Sequence, residues 1–167
     1  MLKPKTKEAL NIEEVVNGCL KPLLYQAKGK GISLETEFEP GLPPMAIDSF
    51  RFPWTITNLV GNAIRYTDRG GRVTLRVEKH GRRCYFQCAD TGVGIEEKYL
   101  PKIFDRFTQF SEREKMGTIG LGLAIVKEII EQHGGDISVK SKVGEGTTFT
   151  FSIPIETEDL NEKSAGR

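Results

Sequence analysis

The chain has 167 residues, with 24 Lys plus Arg against 23 Asp plus Glu and a formal net charge of +1. That length suits a single domain with a real core. The charge balance excludes the basic surplus of a nucleic-acid or anionic-membrane binder. The 18 glycines exceed the usual share of about 7%. Half of them lie between Gly92 and Gly146, so the excess has a local cause rather than general looseness.

Residues 1–10 are basic and unpatterned apart from Ala9–Leu10, and read as a linker. Asn11 followed by Glu14 has capping-box spacing, which predicts a helix from Ile12 to about Ala27, stopped by Gly29 and Gly31. Alternation from Ile32 to Glu39 predicts a half-buried strand, and Met45–Ile47 a short one. A second helix is expected over Ser49–Thr67, with Phe52, Ile56, Leu59, Val60 and Ala63 as its core stripe and Pro53 in its first turn. Arg72–Lys79 and Arg83–Ala89 read as a hairpin turning at His80–Gly81. A helix over Glu96–Phe107 and a polar loop over Thr108–Thr118 follow. A helix over Leu121–Gln132 comes next, ending at Gly134–Gly135. Asp136–Val143 and Thr147–Ile155 form a last hairpin, and residues 156–167 read as a disordered tail. Hairpins mixed with helices predict a two-layer α/β sandwich, with one mixed, largely antiparallel sheet and helices on one face.

Cys84 and Cys88 fall in one strand, about 13 Å apart and too far for a disulfide. Cys19 is left odd, and no Cys or His spacing suits zinc, so a reduced, cytoplasmic setting is expected. No apolar run follows Lys3, Lys5 and Lys7, and none approaches the roughly 18 residues of a membrane span. Neither a leader nor a membrane contact is therefore expected of this chain, although a parent protein could itself be anchored.

Four stretches carry chemistry. In Asp90–Thr91–Gly92–Val93–Gly94–Ile95, a strand ends on a carboxylate and turns through two glycines. Such a carboxylate accepts from the adenine amine but faces guanine's carbonyl lone pair to lone pair, and the glycines admit a base or sugar to the backbone. The same stretch also fits a simple turn. Gly117–Thr118–Ile119–Gly120–Leu121–Gly122–Leu123 enters a helix whose free N–H groups suit phosphate, or it is merely a loose helix entrance. It lacks the Gly-Lys-Ser/Thr of a Walker loop. Asn58, Asn62 and Arg65 share one helix face. An amide oxygen there suits Mg²⁺ and a guanidinium suits a triphosphate, unless the face is only solvated. In Gly144–Glu145–Gly146–Thr147, Thr147 has the inward parity of Phe149 and Phe151, beside Asp90, or is a β-prone residue after a turn.

The segments NLVGNAIRYT, DTGVGI, FDRF, GTIGLGLAI and GEGTTFTF occur in the order used by sensor histidine kinases. Over about residues 8–155 the chain closely resembles their catalytic, ATP-binding domain. That domain is of the Bergerat type, shared with Hsp90, DNA gyrase and mismatch-repair ATPases. The resemblance implies ATP and Mg²⁺ as ligands. Asn62 would ligate Mg²⁺, supported by Asn58. Arg65 replaces the family's more usual lysine against the phosphates, with Tyr66 near the sugar or phosphates. Asp90 would take the adenine amine, with Gly92, Gly94 and Ile95 lining the base and Thr147 on the adenine side. Gly117, Thr118, Gly120, Leu121, Gly122 and Leu123 would close on the phosphates, after a mobile lid at Thr108–Thr118 anchored by Phe104 and Phe107. Many members carry a lid arginine where this chain has Gln109, leaving Arg106, Arg113 or Lys115 as stand-ins.

Within that superfamily, hydrolases place a glutamate four residues before the metal-binding asparagine. Here that position is Asn58, an amide that cannot accept water's proton, which points to phosphoryl transfer. The histidines, His80 at a turn and His133 at a helix end, read as structural. The resemblance therefore implies an acceptor histidine on the kinase's dimerisation domain, outside this chain, with residues 1–7 as the link to it. A response-regulator receiver would be served indirectly. Two other readings stay open: a catalytically degenerate docking module, and a Bergerat-type ATPase.

Overall fold

The computed structural model describes residues 7–105 and 119–155, with side chains in the last segment from Gly122 onward. The lid expected at Thr108–Thr118, Arg106, Phe107 and the tail expected at 156–167 lie outside the described residues. In chain order the elements are β1 (Lys7–Leu10), α1 (Ile12–Lys30), β2 (Ser33–Phe38), β3 (Met45–Asp48), α2 (Arg51–Arg65), β4 (Arg72–His80) and β5 (Arg83–Asp90). A 3₁₀ helix (Glu97–Lys102), α3 (Ile119–Gln132), β6 (Asp136–Lys142) and β7 (Gly146–Pro154) complete them.

The main sheet has the order β2-β4-β5-β7-β6. β2 runs parallel to β4 and the other three pairings are antiparallel. This is the mixed, mostly antiparallel layer that the hairpin pattern predicts. α1 and α2 bury their 3.6-period stripes against it: Ile12, Val16, Leu20, Leu23 and Ala27 from the first, and Phe52, Ile56, Leu59, Val60 and Ala63 from the second. At the centre, Phe86 of β5 stacks on Phe151 of β7 at 4.6 Å, and Phe52 meets both rings edge-on. Each ring of such a cluster removes roughly 150–250 Å² from water.

Local rules set most boundaries. Asn11 Oδ1 accepts the Glu14 N–H at 3.0 Å and starts α1, and Gly31 ends it in the left-handed conformation. Pro22 sits on the exposed side of α1, where the carbonyl it leaves unbonded meets solvent. Two expectations are corrected. Residues 7–10, read as linker, form β1, which pairs antiparallel with β3 over Lys7↔Asp48 to Leu10↔Met45. The helix expected over Glu96–Phe107 is a 3₁₀ turn over Glu97–Lys102. Pro101 lacks an N–H and disfavours the α conformation at Leu100, and this six-residue segment has no long flanking helix, as Pro22 has in α1, to offset the lost bond.

Candidate functional site

Three segments converge at one end of the sheet: the end of β5 with its turn, the C-terminal half of α2, and the β6–β7 hairpin. Asp90 closes β5 and lies opposite Thr147 of β7. Its Oδ1 accepts the Gly92 N–H at 2.8 Å and the Thr147 N–H at 3.2 Å. Among the described residues Oδ2 accepts no hydrogen bond. Burial raises the Asp90 carboxyl above the ordinary aspartate range, against the opposing pull of the two N–H groups. Beneath it, Cys88 is buried, and its thiol is pushed up to about 12 by burial and by the Asp90 carboxylate.

The turn after Asp90 is threaded between its neighbours. The Val93 N–H donates to Tyr66 O at 3.1 Å, and the Gly144 N–H donates to Val93 O at 3.0 Å. A β-carbon at Gly92 would strike Tyr66 O, and one at Gly94 would strike Lys142 O. Gly94 also has a φ of +76°, in the left-handed region where side chains are strained. Glycine is needed at both positions because backbone passes backbone at contact distance.

On α2, Asn62 Nδ2 donates to Asn58 Oδ1 at 3.3 Å. That bond orients the Asn62 amide and leaves its Oδ1 without a hydrogen bond among the described residues. A hard, neutral oxygen presented this way fits Mg²⁺, which keeps most of its waters and takes phosphate oxygens besides. No cluster of three or more His, Cys, Asp or Glu side chains suited to a metal occurs among the described residues. A cation here would therefore be held chiefly by amide, phosphate and water. α3 lies against Asn58 so closely that a β-carbon at Gly122 would collide with the amide. Leu123 is fully buried. Gly120 and Leu121 lie in the first turn of α3, while Gly117 and Thr118 fall outside the described residues. Arg65 is exposed at the end of α2 and Tyr66 half-buried. Phe104 packs edge-on against Phe149 at 6.1 Å, and Ile95 is buried.

Two residues that the motifs did not single out hold this arrangement. Ser141 of β6 lies opposite Thr147, accepts the Ile95 N–H at 2.7 Å, and is 2.8 Å from Thr147 Oγ1 and 3.0 Å from Gly146 O. Its inward parity with Ile137 and Val139 was the available signal. Lys30, at the end of α1, donates to Ile64 O at 3.0 Å and Arg65 O at 2.6 Å, capping α2 just beyond the asparagines. No local pattern announces a contact 35 residues away.

Both histidines have partners in the fold. The buried His133 accepts the Asp48 N–H at Nε2 (3.0 Å) and uses Nδ1 toward Ile129 O (2.8 Å), so both ring nitrogens are engaged. His80 is exposed, 3.0 Å from Glu78 and edge-on to Tyr85.

A carboxylate at a strand end beside two close-packed glycines, an asparagine pair and the start of α3 thus come together at this end of the sheet. Residues 48–157 match the family described as "Histidine kinase-, DNA gyrase B-, and HSP90-like ATPase", and the chain belongs to it. It is 35% identical over 159 residues to an uncharacterized sensor-like histidine kinase of Rhizobium meliloti, an alignment covering 93% of this chain and 30% of that protein. It is 38% identical over 134 residues to the sensor histidine kinase WalK of Bacillus subtilis, covering 75% of this chain and 22% of that one. Among solved structures, the nucleotide-free catalytic domain of histidine kinase ThkA superposes with a TM-score of 0.78 at 27% identity, covering 89% of this chain and 95% of that one. Full-length ShkA in complex with AMPPNP superposes with a TM-score of 0.77 at 31% identity, covering 89% of this chain and 31% of that one. The chain is thus homologous to the catalytic ATP-binding domain of sensor histidine kinases, and spans less than a third of the length of these curated relatives. No helix among the described residues is long and apolar enough to cross a membrane.

Proposed function

We propose that this chain binds Mg-ATP and presents the γ-phosphate to a histidine carried by a dimerisation domain of the same kinase, outside residues 1–167. The observation that carries the nucleotide reading is Asp90. Its Oδ1 is occupied by two backbone N–H groups, and its Oδ2 is left to accept from an exocyclic amine. A base with a carbonyl at that edge would meet the carboxylate lone pair to lone pair, so adenine is selected over guanine. Gly92, Gly94 and Ile95 lie along the base, with Thr147 beside it. Asn62 would hold Mg²⁺ through Oδ1, its amide oriented by Asn58. The cation supplies neutralisation of charge on the phosphates. Arg65 and Tyr66, with Gly117, Thr118 and the Gly120–Gly122 start of α3, would serve the sugar and phosphates, since helix N–H groups suit anionic oxygens, while the buried Leu123 would anchor that start from below.

Transfer rather than hydrolysis follows from Asn58, which stands where a hydrolase of this superfamily needs a general base. A carboxamide cannot take the proton of an attacking water. A nucleophilic histidine must come from elsewhere, because both nitrogens of His133 are engaged and His80 closes β4, paired with Arg83 and beside Glu78. In this reading residues 8–155, with the Lys7 end of β1, form the catalytic domain. Residues 1–6 would link it to the dimerisation segment. The domain acts in the cytoplasm, and a response-regulator receiver takes the phosphoryl group from the histidine. ThkA, a solved neighbour at 25% identity, was crystallised in complex with the response regulator TrrA.

Displacement of a fluorescent ATP analogue tests the site. ATP should compete far better than GTP, and Mg²⁺ should strengthen binding. Asn62→Ala should abolish the Mg²⁺ dependence. Equal competition by GTP, or an unchanged Mg²⁺ dependence in Asn62→Ala, would contradict the assignment.

A further inference from the structure

We propose that Ser141 sets the base selectivity of this pocket by holding the hydroxyl proton of Thr147. The inference rests on the reading of Asp90 and Thr147 as the pair that meets the base. A serine hydroxyl has one proton and two lone pairs. Ser141 Oγ has three partners within reach: the Ile95 N–H at 2.7 Å, Gly146 O at 3.0 Å and Thr147 Oγ1 at 2.8 Å. All three bonds form together in only one arrangement. Ile95 N–H fills one lone pair, Ser141 donates its own proton to Gly146 O, and the Thr147 hydroxyl donates into the second lone pair. Thr147 Oγ1 is then left with lone pairs alone toward the pocket.

Asp90 stands opposite Thr147 in the β5–β7 register and joins it through the Thr147 N–H. Asp90 Oδ2 also offers lone pairs. The wall facing position 6 of a purine therefore carries two acceptors and no side-chain donor. It suits the two hydrogens of a 6-amino group and repels a 6-oxo group. Without Ser141, the Thr147 hydroxyl rotates freely and can donate to a 6-oxo oxygen. Ser141 lies behind Thr147, so it is a positioning residue that acts on selectivity through its neighbour.

Competition between ATP and ITP tests this on the 167-residue chain, since inosine differs from adenosine in the 6-substituent and the N1 proton that accompanies it, without guanine's added 2-amino group. The wild type should prefer ATP. In Ser141→Ala the ATP/ITP affinity ratio should fall by about three- to tenfold, the share of one neutral hydrogen bond. Ser141→Cys, which keeps the size with a weak donor, should give an intermediate ratio and carries the test if the alanine variant does not fold. A loss of affinity equal for both nucleotides, leaving the ratio unchanged, would show that Ser141 only packs the hairpin and would overturn the inference. Asp90→Asn in the same assay separates the two levels. If it abolishes the preference for ATP while the Ser141 variants do not alter it, this inference fails and the reading of the site stands. If the wild type shows no preference, or Asp90→Asn leaves it intact, the reading itself fails and this inference with it.

Discussion

Gly122 of α3 lies against the side-chain amide of Asn58 on α2, with no room between them for a β-carbon. The contact joins the glycine-rich helix entrance to the asparagine pair, two stretches more than 60 residues apart in a chain of 167. It also bears on Asn62, because Asn58 Oδ1 accepts from Asn62 Nδ2.

Gly122→Ala should therefore act through the asparagines. Alanine favours a helix over glycine by up to about 1 kcal/mol, but forcing a methyl into a packed contact costs roughly 1–3 kcal/mol. The collision is with the end of a side chain, which can turn, so the fold should survive while the asparagine pair is broken. ATP-analogue affinity should drop about tenfold, with a thermal midpoint close to wild type. Wild-type affinity would show that the contact does not support the site.

The Asp90 carboxyl should give two opposite pH dependences. Burial raises its pKa in the folded chain. The folded state thus holds this proton more tightly than the unfolded state, and the empty domain loses stability as pH rises through the raised pKa. Asp90→Asn should remove that loss. The empty variant should melt above wild type at neutral pH, with the advantage shrinking as pH falls toward the ordinary aspartate range. ATP affinity should run the other way in wild type, rising as the carboxylate forms. Asp90→Ala should weaken ATP about tenfold to a hundredfold at neutral pH, the share of one charge-assisted hydrogen bond. Thermal melts and titrations across pH check both slopes.

Lys30 should matter more than its place at a helix end suggests. Its ammonium caps the carbonyls of Ile64 and Arg65, one turn past Asn62. Lys30→Met should cost about 1 kcal/mol in urea unfolding, typical for a cation on helix C-terminal carbonyls. It should also weaken ATP, because Tyr66, whose carbonyl holds the Val93 N–H, follows directly. Unchanged unfolding and unchanged affinity would leave the cap without consequence.

Much of this was legible in the chain. The α1 and α2 stripes, the β4–β5 hairpin and the inward parity of Thr147 are periodic signals, and the burial of Phe52, Ile56, Leu59 and Thr147 follows them. Asp90, Gly92 and Gly94 stood out as a strand end running into two glycines, but that stretch fits a simple turn as well, and only the ordered set of five segments pointed it toward a base. β1 was hidden because four residues carry no period, and its pairing depends on Met45–Asp48, far along the chain. The helix expected over Glu96–Phe107 left Pro101 out of account, and it is at Pro101 that the segment stays a 3₁₀ turn. Lys30 and Ser141 act across 35 and 46 residues, through contacts that only the tertiary fold creates.

The central claim is that the chain is built to hand a phosphoryl group to a histidine it does not contain. Phosphoryl transfer depends on in-line placement of nucleophile and phosphorus, and Asn58 offers water no base. The most direct measurement is incubation of residues 1–167 with γ-labelled ATP, alone and with a histidine-bearing dimerisation segment of the parent kinase supplied as a separate chain. The account predicts no label and very slow ATP turnover alone, and with the segment an acid-labile, base-stable label on its histidine. Robust self-labelling lost on His80→Ala or His133→Ala, or brisk hydrolysis by the chain alone, would contradict it.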